Sequence, residues 1–159
     1  MTAAAKTPSQ RGRSNRNRGL NAERDLCKWL RTNGFPHAER AVRTGFRTVD
    51  RTSADPGDVT GTPGIVWSVK DCAVEQRAVW MAELDEMRSG SGADLGLLVH
   101  KRRGHADPAR WWCWLELTDL FGLVAGRAPV VGNAPLRMEL GHVVPLLRVA
   151  GYTNVEEAS

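Results

Sequence analysis

The sequence contains no run of about 18 consecutive apolar residues, the length that a membrane-spanning helix needs. No apolar stretch follows its basic first residues, so we expect no secretory signal. Cysteine is scarce: Cys27, Cys72 and Cys113 are odd in number and widely spaced, which fits neither a disulfide framework nor a CxxC zinc site. These absences predict a cytoplasmic protein with no membrane partner.

Charge is plentiful but unevenly distributed. Of the 159 residues, 42% are hydrophobic and 25% are charged, which is typical of a soluble globular domain. Residues 1–51 hold twelve Lys or Arg against four Asp or Glu, whereas residues 52–159 hold ten against fourteen. A basic first part on an acidic body predicts a polyanionic partner.

The first eighteen residues are rich in arginine and contain almost nothing apolar. A segment of this composition buries too little surface to offset its ordering entropy, so we expect a disordered basic arm over residues 1–18. Its arginines would neutralise phosphates and make binding salt-dependent, although a solubilising tail is the alternative. The arginines concerned are Arg11, Arg13, Arg16 and Arg18.

Hydrophobic periodicity predicts helices alternating with short strands. This order indicates a small α/β domain over residues 19–128, with a mixed β-sheet flanked by helices. The signals weaken beyond Pro129, so residues 129–159 are expected to form an extension of uncertain structure. The predicted elements are a helix over 19–33, a short strand within 35–43, strands over 65–69, 94–100 and 111–117, and helices over 73–88 and 118–126.

Three residues combine into a possible catalytic set. Glu23 lies on the first helix, Asp58 follows a Pro-Gly turn, and Lys70 ends the strand IVWSVK. Strand alternation places Ser68 and Lys70 on one face, and a hairpin from Asp58 to Lys70 would bring Asp58 near that face. Each residue alone has an ordinary explanation, as a helix-turn, turn or strand-edge residue. Together they suit phosphodiester hydrolysis, because Mg²⁺ prefers carboxylate oxygen and a lysine can stabilise developing charge.

The sequence here resembles the PD-(D/E)XK nuclease superfamily, and within it the archaeal-type and phage Holliday junction resolvases. The residues that carry the resemblance are Gly19-Leu20-Asn21-Ala22-Glu23-Arg24, Pro56-Gly57-Asp58-Val59 and Val66-Trp67-Ser68-Val69-Lys70. It implies a restriction-endonuclease-like fold. It also implies that Glu23 and Asp58 bind Mg²⁺ or Mn²⁺ and that Lys70 serves the attacking water. The composition, rich in Ala, Gly and Arg, indicates a bacterial cell or a phage-infected host.

Ser68 departs from the family pattern, which has Asp or Glu two residues before the lysine. Some restriction endonucleases of the superfamily have serine there and take a glutamate from the following helix, about a dozen residues later. Glu83 lies at that spacing, with Glu75 and Glu86 as weaker candidates. Alternatively, the protein is a binding-only relative or a disabled variant.

Further residues are expected to contact DNA. Arg40, Arg43 and Arg47 could follow the phosphate backbone, since arginine suits bidentate phosphate contact. The resemblance implies a small hydroxyl residue in the loop before the aspartate, and Ser53 is its match. Trp112 and Trp114 share one face of a predicted strand, for which core or dimer packing is favoured over base stacking.

The predicted function is resolution of four-way junctions by paired nicks. Such a junction has two-fold symmetry, so we expect a homodimer with branched DNA as its partner. The alternatives are a catalytically inactive protein that binds structured DNA, and a nuclease that acts on linear duplex.

Overall fold

The part of the chain that the structure describes forms four helices, a four-stranded sheet and a short two-stranded ribbon. The computed structural model describes residues 7–42, 55–127 and 132–153. The elements are α1 (Pro8–Arg31), β1 (Glu39–Arg40), β2 (Val59–Thr60), β3 (Ile65–Lys70), α2 (Arg77–Ser91), β4 (Leu95–His100), β5 (Trp112–Glu116), α3 (Leu117–Ala125), β6 (Pro135–Glu139) and α4 (Leu140–Val149), with a 3₁₀ turn at Pro108–Arg110.

The main sheet is mixed, in the order β3-β4-β5-β6. β3 and β4 are parallel, whereas β4, β5 and β6 pair antiparallel in succession. β1 and β2 form a separate antiparallel ribbon. The predicted α/β class with a mixed sheet and flanking helices is therefore confirmed. The parallel pair needs a crossover, and α2 supplies it.

Strand alternation divides the core between the two faces of the sheet. Trp67, Leu97 and Cys113 belong to a large cluster that also contains buried residues of α1 and α4. On the opposite face, Leu98 and Trp114 pack in a smaller cluster with Trp80 and Leu84 of α2, together with Val66. Ser68 and Lys70 alternate with Trp67 and therefore point to this α2 face.

Helix α1 begins at Pro8, well before the predicted start at Gly19. Residues 8–18 are therefore helical, contrary to the disordered arm that we expected from composition. Thr7 and Gln10 form a reciprocal capping box: the Gln10 N–H donates to Thr7 Oγ1, and the Thr7 N–H donates to Gln10 Oε1. Pro8 at the first helical position reinforces this start. The prediction from composition took no account of these capping residues.

The C-terminal segment, which we predicted to be an extension of uncertain structure over residues 129–159, contributes its described residues to the same sheet and core. β6 forms the fourth strand of the sheet, and four side chains of α4 are buried. Pro145 lies inside α4. Because proline normally interrupts a helix, it makes this segment of the sequence hard to predict as helical. The buried residues of α4 are Leu140, Val143, Val144 and Leu147.

The described residues contain no helix long and apolar enough to cross a membrane. All three cysteines are free; Cys27 and Cys113 are buried and Cys72 is exposed. Burial raises the pKa of the Cys27 thiol to about 11 and raises the pKa of Cys113 still further.

Candidate functional site

A cleft of about 530 Å³ lies beside β3 and α2. It brings together four of the residues that the sequence singled out: Asp58, Ser68, Lys70 and Glu83. These come from three separate stretches of chain, namely the turn before β2, the strand β3 and the helix α2. The complete described lining is Asp55, Asp58, Ser68, Val69, Lys70, Glu83, Glu86, Met87 and Gly90.

Asp58 is fastened along the edge of β3 by its backbone and its side chain. Its N–H donates to the Trp67 carbonyl at 2.8 Å, and its Oδ2 accepts the Val69 N–H at 2.7 Å. Gly57 makes this close approach possible: its φ is +78°, and a Cβ there would lie 2.5 Å from the Trp67 carbonyl oxygen. The chain therefore turns back between Asp58 and Lys70 and brings the carboxylate to the cleft, but among the described residues β2 pairs with β1 and not with β3, so the predicted hairpin is not a paired one.

The turn before Asp58 contributes an acidic residue that the sequence analysis did not select. Asp55 lines the cleft, and its Oδ1 accepts the Gly57 N–H at 2.9 Å. The Asp-Pro-Gly sequence is a signal for such a side-chain-bonded turn. Asp55 thus supports the conformation that positions Asp58.

Lys70 forms an ion pair with Glu83 across the cleft, with 2.9 Å between Nζ and Oε2. The Lys70 side chain is 24% exposed and that of Glu83 is 51% exposed, so the pair remains accessible to a ligand. Lys70 Nζ also lies 5.9 Å from the centroid of the Trp80 ring. A carboxylate of α2 therefore lies beside the lysine. The family resemblance predicts that such a glutamate takes the place of the carboxylate expected at Ser68.

The spacing along α2 explains why several of its residues reach the cleft. Glu83, Glu86, Met87 and Gly90 follow the i, i+3, i+4, i+7 pattern of one helix face. Ser68 lines the cleft opposite, but it is only 1% exposed and offers a hydroxyl instead of a carboxylate. The acidic groups of the cleft accordingly come from the loop and the helix.

The donor set suits a hard cation that keeps part of its water shell. Among the described residues, no three His, Cys, Asp or Glu side chains converge as a preformed metal cluster. Mg²⁺ is commonly held by one or two carboxylates together with water and substrate phosphate. Asp58 and Glu83 meet that lesser requirement, and a carboxylate can accept at both of its oxygens.

Glu23 is not among the described residues that line the cleft. Its Oε2 lies 3.7 Å from Arg40 Nη1, with 17% and 28% of the two side chains exposed. Arg40 pairs with Val59 in the β1–β2 ribbon, and the next residue, Ala41, donates its N–H to the Asp58 carbonyl at 3.0 Å. Glu23 thus contacts the segment that is hydrogen-bonded to Asp58, and its metal-binding role stays a prediction.

The other residues expected to bind DNA divide into two groups. The arginines of the first segment lie on the polar N-terminal half of α1, where Arg11, Arg13 and Arg16 are exposed and Arg18 is half-buried. Their display on a helix differs from the flexible arm that we expected. Arg43, Arg47 and Ser53 lie outside the described residues.

Comparisons of the chain with protein-family models, curated proteins and solved structures gave no significant match.

Proposed function

We propose that this protein is a metal-dependent endonuclease that cuts branched DNA. The observation that carries the proposal is the meeting of Asp58, Lys70 and Glu83 in one accessible cleft. Two carboxylates and a lysine provide what phosphodiester hydrolysis requires: oxygen donors for a hard cation and a positive charge for the phosphate. Their order along the chain also follows the nuclease pattern, with the helix glutamate in the place of the strand acid.

Each residue has a distinct task in this proposal. Asp58 and Glu83 would hold Mg²⁺ or Mn²⁺, which when bound supplies charge neutralisation and activates a water molecule. Lys70 orients the attacking water and stabilises the negative charge that develops on the phosphate oxygens. Asp58 suits its task because its hydrogen bond to the Trp67 carbonyl and the one it accepts from the Val69 N–H fix it before substrate arrives.

Basic side chains outside the cleft would hold the DNA backbone. The arginines of α1 are mostly exposed, and Arg40 lies in the ribbon that leads to Asp58. Paired nicks in a four-way junction require two such sites, which a two-fold symmetric homodimer would provide. The dimer and the preference for branched substrates belong to the proposal.

The second candidate is a protein that binds structured DNA without cutting it. Two observations favour this function: Ser68 occupies the position of a strand carboxylate, and no three metal-binding groups converge among the described residues. This candidate predicts tight, salt-sensitive junction binding with no cleavage by the purified protein in any divalent metal.

The Asp58→Asn variant tests the proposed site. Asparagine retains an oxygen that can accept the Val69 N–H, so the segment around residue 58 should keep its place beside β3 while the metal-binding charge is lost. We expect junction cleavage to fall at least about 100-fold, with junction binding in EDTA unchanged. Asp85→Asn, an exposed change on α2, is the matched control and should leave cleavage intact.

Three outcomes distinguish the proposed junction nuclease from a binding-only protein and from a duplex nuclease. Full cleavage by Asp58→Asn would overturn the site assignment. Salt-sensitive binding by the wild type, with no metal-dependent cleavage, would support the second candidate. Equal cleavage of junction and linear duplex at the same salt concentration would identify a duplex nuclease and refute the preference for branches.

A further inference from the structure

A second group of basic residues lies against two tryptophans of β5. The Arg102 and Arg137 guanidinium carbons each lie 4.3 Å from the centroid of the Trp112 ring. Arg137 is also 5.5 Å from the centroid of Trp114, and Arg77 of α2 lies 5.3 Å from that same ring. We call these five residues the arginine–tryptophan cluster.

The pairing of β5 with β6 creates this cluster. Trp114 is the register partner of Arg137, and Trp112 is the partner of Glu139. Glu139 accepts from Arg102 at 3.1 Å and pairs with Arg110 at 3.1 Å. The sequence alone gave no reason to place Arg137 beside the tryptophans, because β6 lies in the segment where its signals weaken.

The arginine–tryptophan cluster faces the same side of the sheet as the cleft lysine. Lys70 is the register partner of His100, His100 of Trp112, and Trp112 of Glu139. These four residues form one row across the sheet. Since neighbouring strands lie about 4.8 Å apart, Lys70 and Glu139 are about 14 Å apart along the row. Helix α2 lies between, with Trp80 packed against His100 at 5.1 Å between ring centroids.

The surface carries excess positive charge. The guanidinium groups of Arg77, Arg102, Arg110 and Arg137 are accompanied by two carboxylates, those of Glu75 and Glu139, which leaves a net charge of +2. Arg77, Arg110 and Arg137 are exposed, and Arg102 is half-exposed. The body of the protein is acidic overall, so this patch is a local reversal of charge.

We propose that the arginine–tryptophan cluster binds the phosphate backbone of a nucleic-acid segment that extends beyond the cleft. The inference rests on the proposed function, because a DNA substrate held at Lys70 must continue across the protein surface. Stacking against tryptophan holds an arginine in place and reduces the entropy lost on binding. The planar fork of N–H groups at the edge of the guanidinium then remains suited to a phosphate.

The same contacts argue against two other uses of this surface. Two guanidinium groups already lie over the Trp112 ring, so the ring is not offered to a nucleobase for stacking. A two-fold interface with a second copy of this chain would place the same patch against itself, so that its net positive charge of +2 on each copy would face a like charge. A phosphate backbone needs neither an open ring nor an apolar patch.

The double variant Arg77→Gln with Arg137→Gln tests the inference. Binding of a labelled four-way junction is measured in EDTA over a series of NaCl concentrations. We expect affinity to fall about tenfold and the slope of log K against log salt to become shallower by about 2, since each lost phosphate contact removes about 0.9. The matched control is Arg127→Gln with Arg148→Gln, which removes the same charge elsewhere and should leave the slope unchanged.

A charge-conserving variant guards against misfolding as the cause. Arg77→Lys with Arg137→Lys should keep most of the salt slope, because lysine still neutralises phosphate.

If the wild type binds the junction and the glutamine variant shows the same salt slope, this inference is overturned while the proposed function still stands. A change in oligomeric mass with an unchanged slope would overturn it in favour of an interface between copies. Failure of the wild type to bind any nucleic acid would refute the proposed function itself, and this inference with it.

Discussion

Replacing Glu83 with glutamine should separate a catalytic carboxylate from a structural ion pair. Glu83 is 51% exposed in its pair with Lys70. An ion pair at such a site contributes only about 0.2–1 kcal/mol to folding stability. Loss of a residue that hydrogen-bonds to a metal ligand typically lowers activity about 10–100-fold, so loss of the ligand itself should lower activity by more than that. A 100-fold loss corresponds to about 2.7 kcal/mol of transition-state stabilisation, so the effect on activity should far exceed the effect on stability.

Three measurements on Glu83→Gln check this difference. Urea unfolding gives the change in stability, and single-turnover cleavage of a four-way junction in Mn²⁺ gives the change in rate. Titration calorimetry with Mn²⁺ is the third measurement, in which the variant should bind the metal more weakly. Asp85→Asn, which changes an exposed carboxylate of the same helix that is not in the described cleft lining, is the matched control and should change all three little.

A carboxylate moved to β3 should rescue the loss. Ser68 faces the cleft that Glu83 lines, so Ser68→Glu in the Glu83→Gln background restores the acid of the nuclease pattern. We expect the double variant to cleave faster than Glu83→Gln alone. Cleavage by Glu83→Gln within about threefold of the wild type, which is less than about 0.7 kcal/mol, would refute the role given to Glu83.

Two further predictions follow from backbone geometry and from burial. Gly57→Ala should lower the free energy of unfolding by at least about 2 kcal/mol, because φ is +78° and the new Cβ would meet the Trp67 carbonyl; an unchanged urea midpoint would contradict this. Of the three thiols, only Cys72 should react rapidly with a thiol reagent near pH 8. Burial raises the pKa of Cys27 to about 11 and that of Cys113 further, so both stay protonated as well as shielded; fast labelling of more than one thiol in the native protein would contradict this.

The middle of the fold was predictable from periodicity, because strands buried on both faces read as short apolar runs. Strands β3, β4 and β5 and helices α2 and α3 lie close to their predicted positions. The ends were less predictable. Helix α1 extends to Pro8 through a local capping box, and α4 contains Pro145, which interrupts an otherwise helical pattern.

The candidate site was predictable where local geometry determines it. Strand alternation and a Pro-Gly turn were enough to bring Asp58 beside Ser68 and Lys70. Selecting Glu83 required the family resemblance, because its spacing from Lys70 does not by itself show that the two side chains are close; that depends on the packing of α2 on β3. The resemblance also selected Glu23, which the structure pairs with Arg40 and does not include in the described cleft lining.

The arginine–tryptophan cluster could not have been predicted from the sequence. Its contacts join α2, β5, β6 and the loop after β4, and they depend on the register between Trp114 and Arg137. Such long-range pairings leave no local pattern in a single sequence. Only the shared face of Trp112 and Trp114 was visible from strand alternation.

The most direct test of the central claim is cleavage of a labelled four-way junction by the wild-type protein. The reaction is run in Mg²⁺, in Mn²⁺ and in EDTA, with linear duplex as the control. The proposed function predicts paired, metal-dependent nicks near the branch point and little cutting of the duplex. Binding of the junction without nicks in either metal would contradict it and would identify the cleft as a disabled nuclease site.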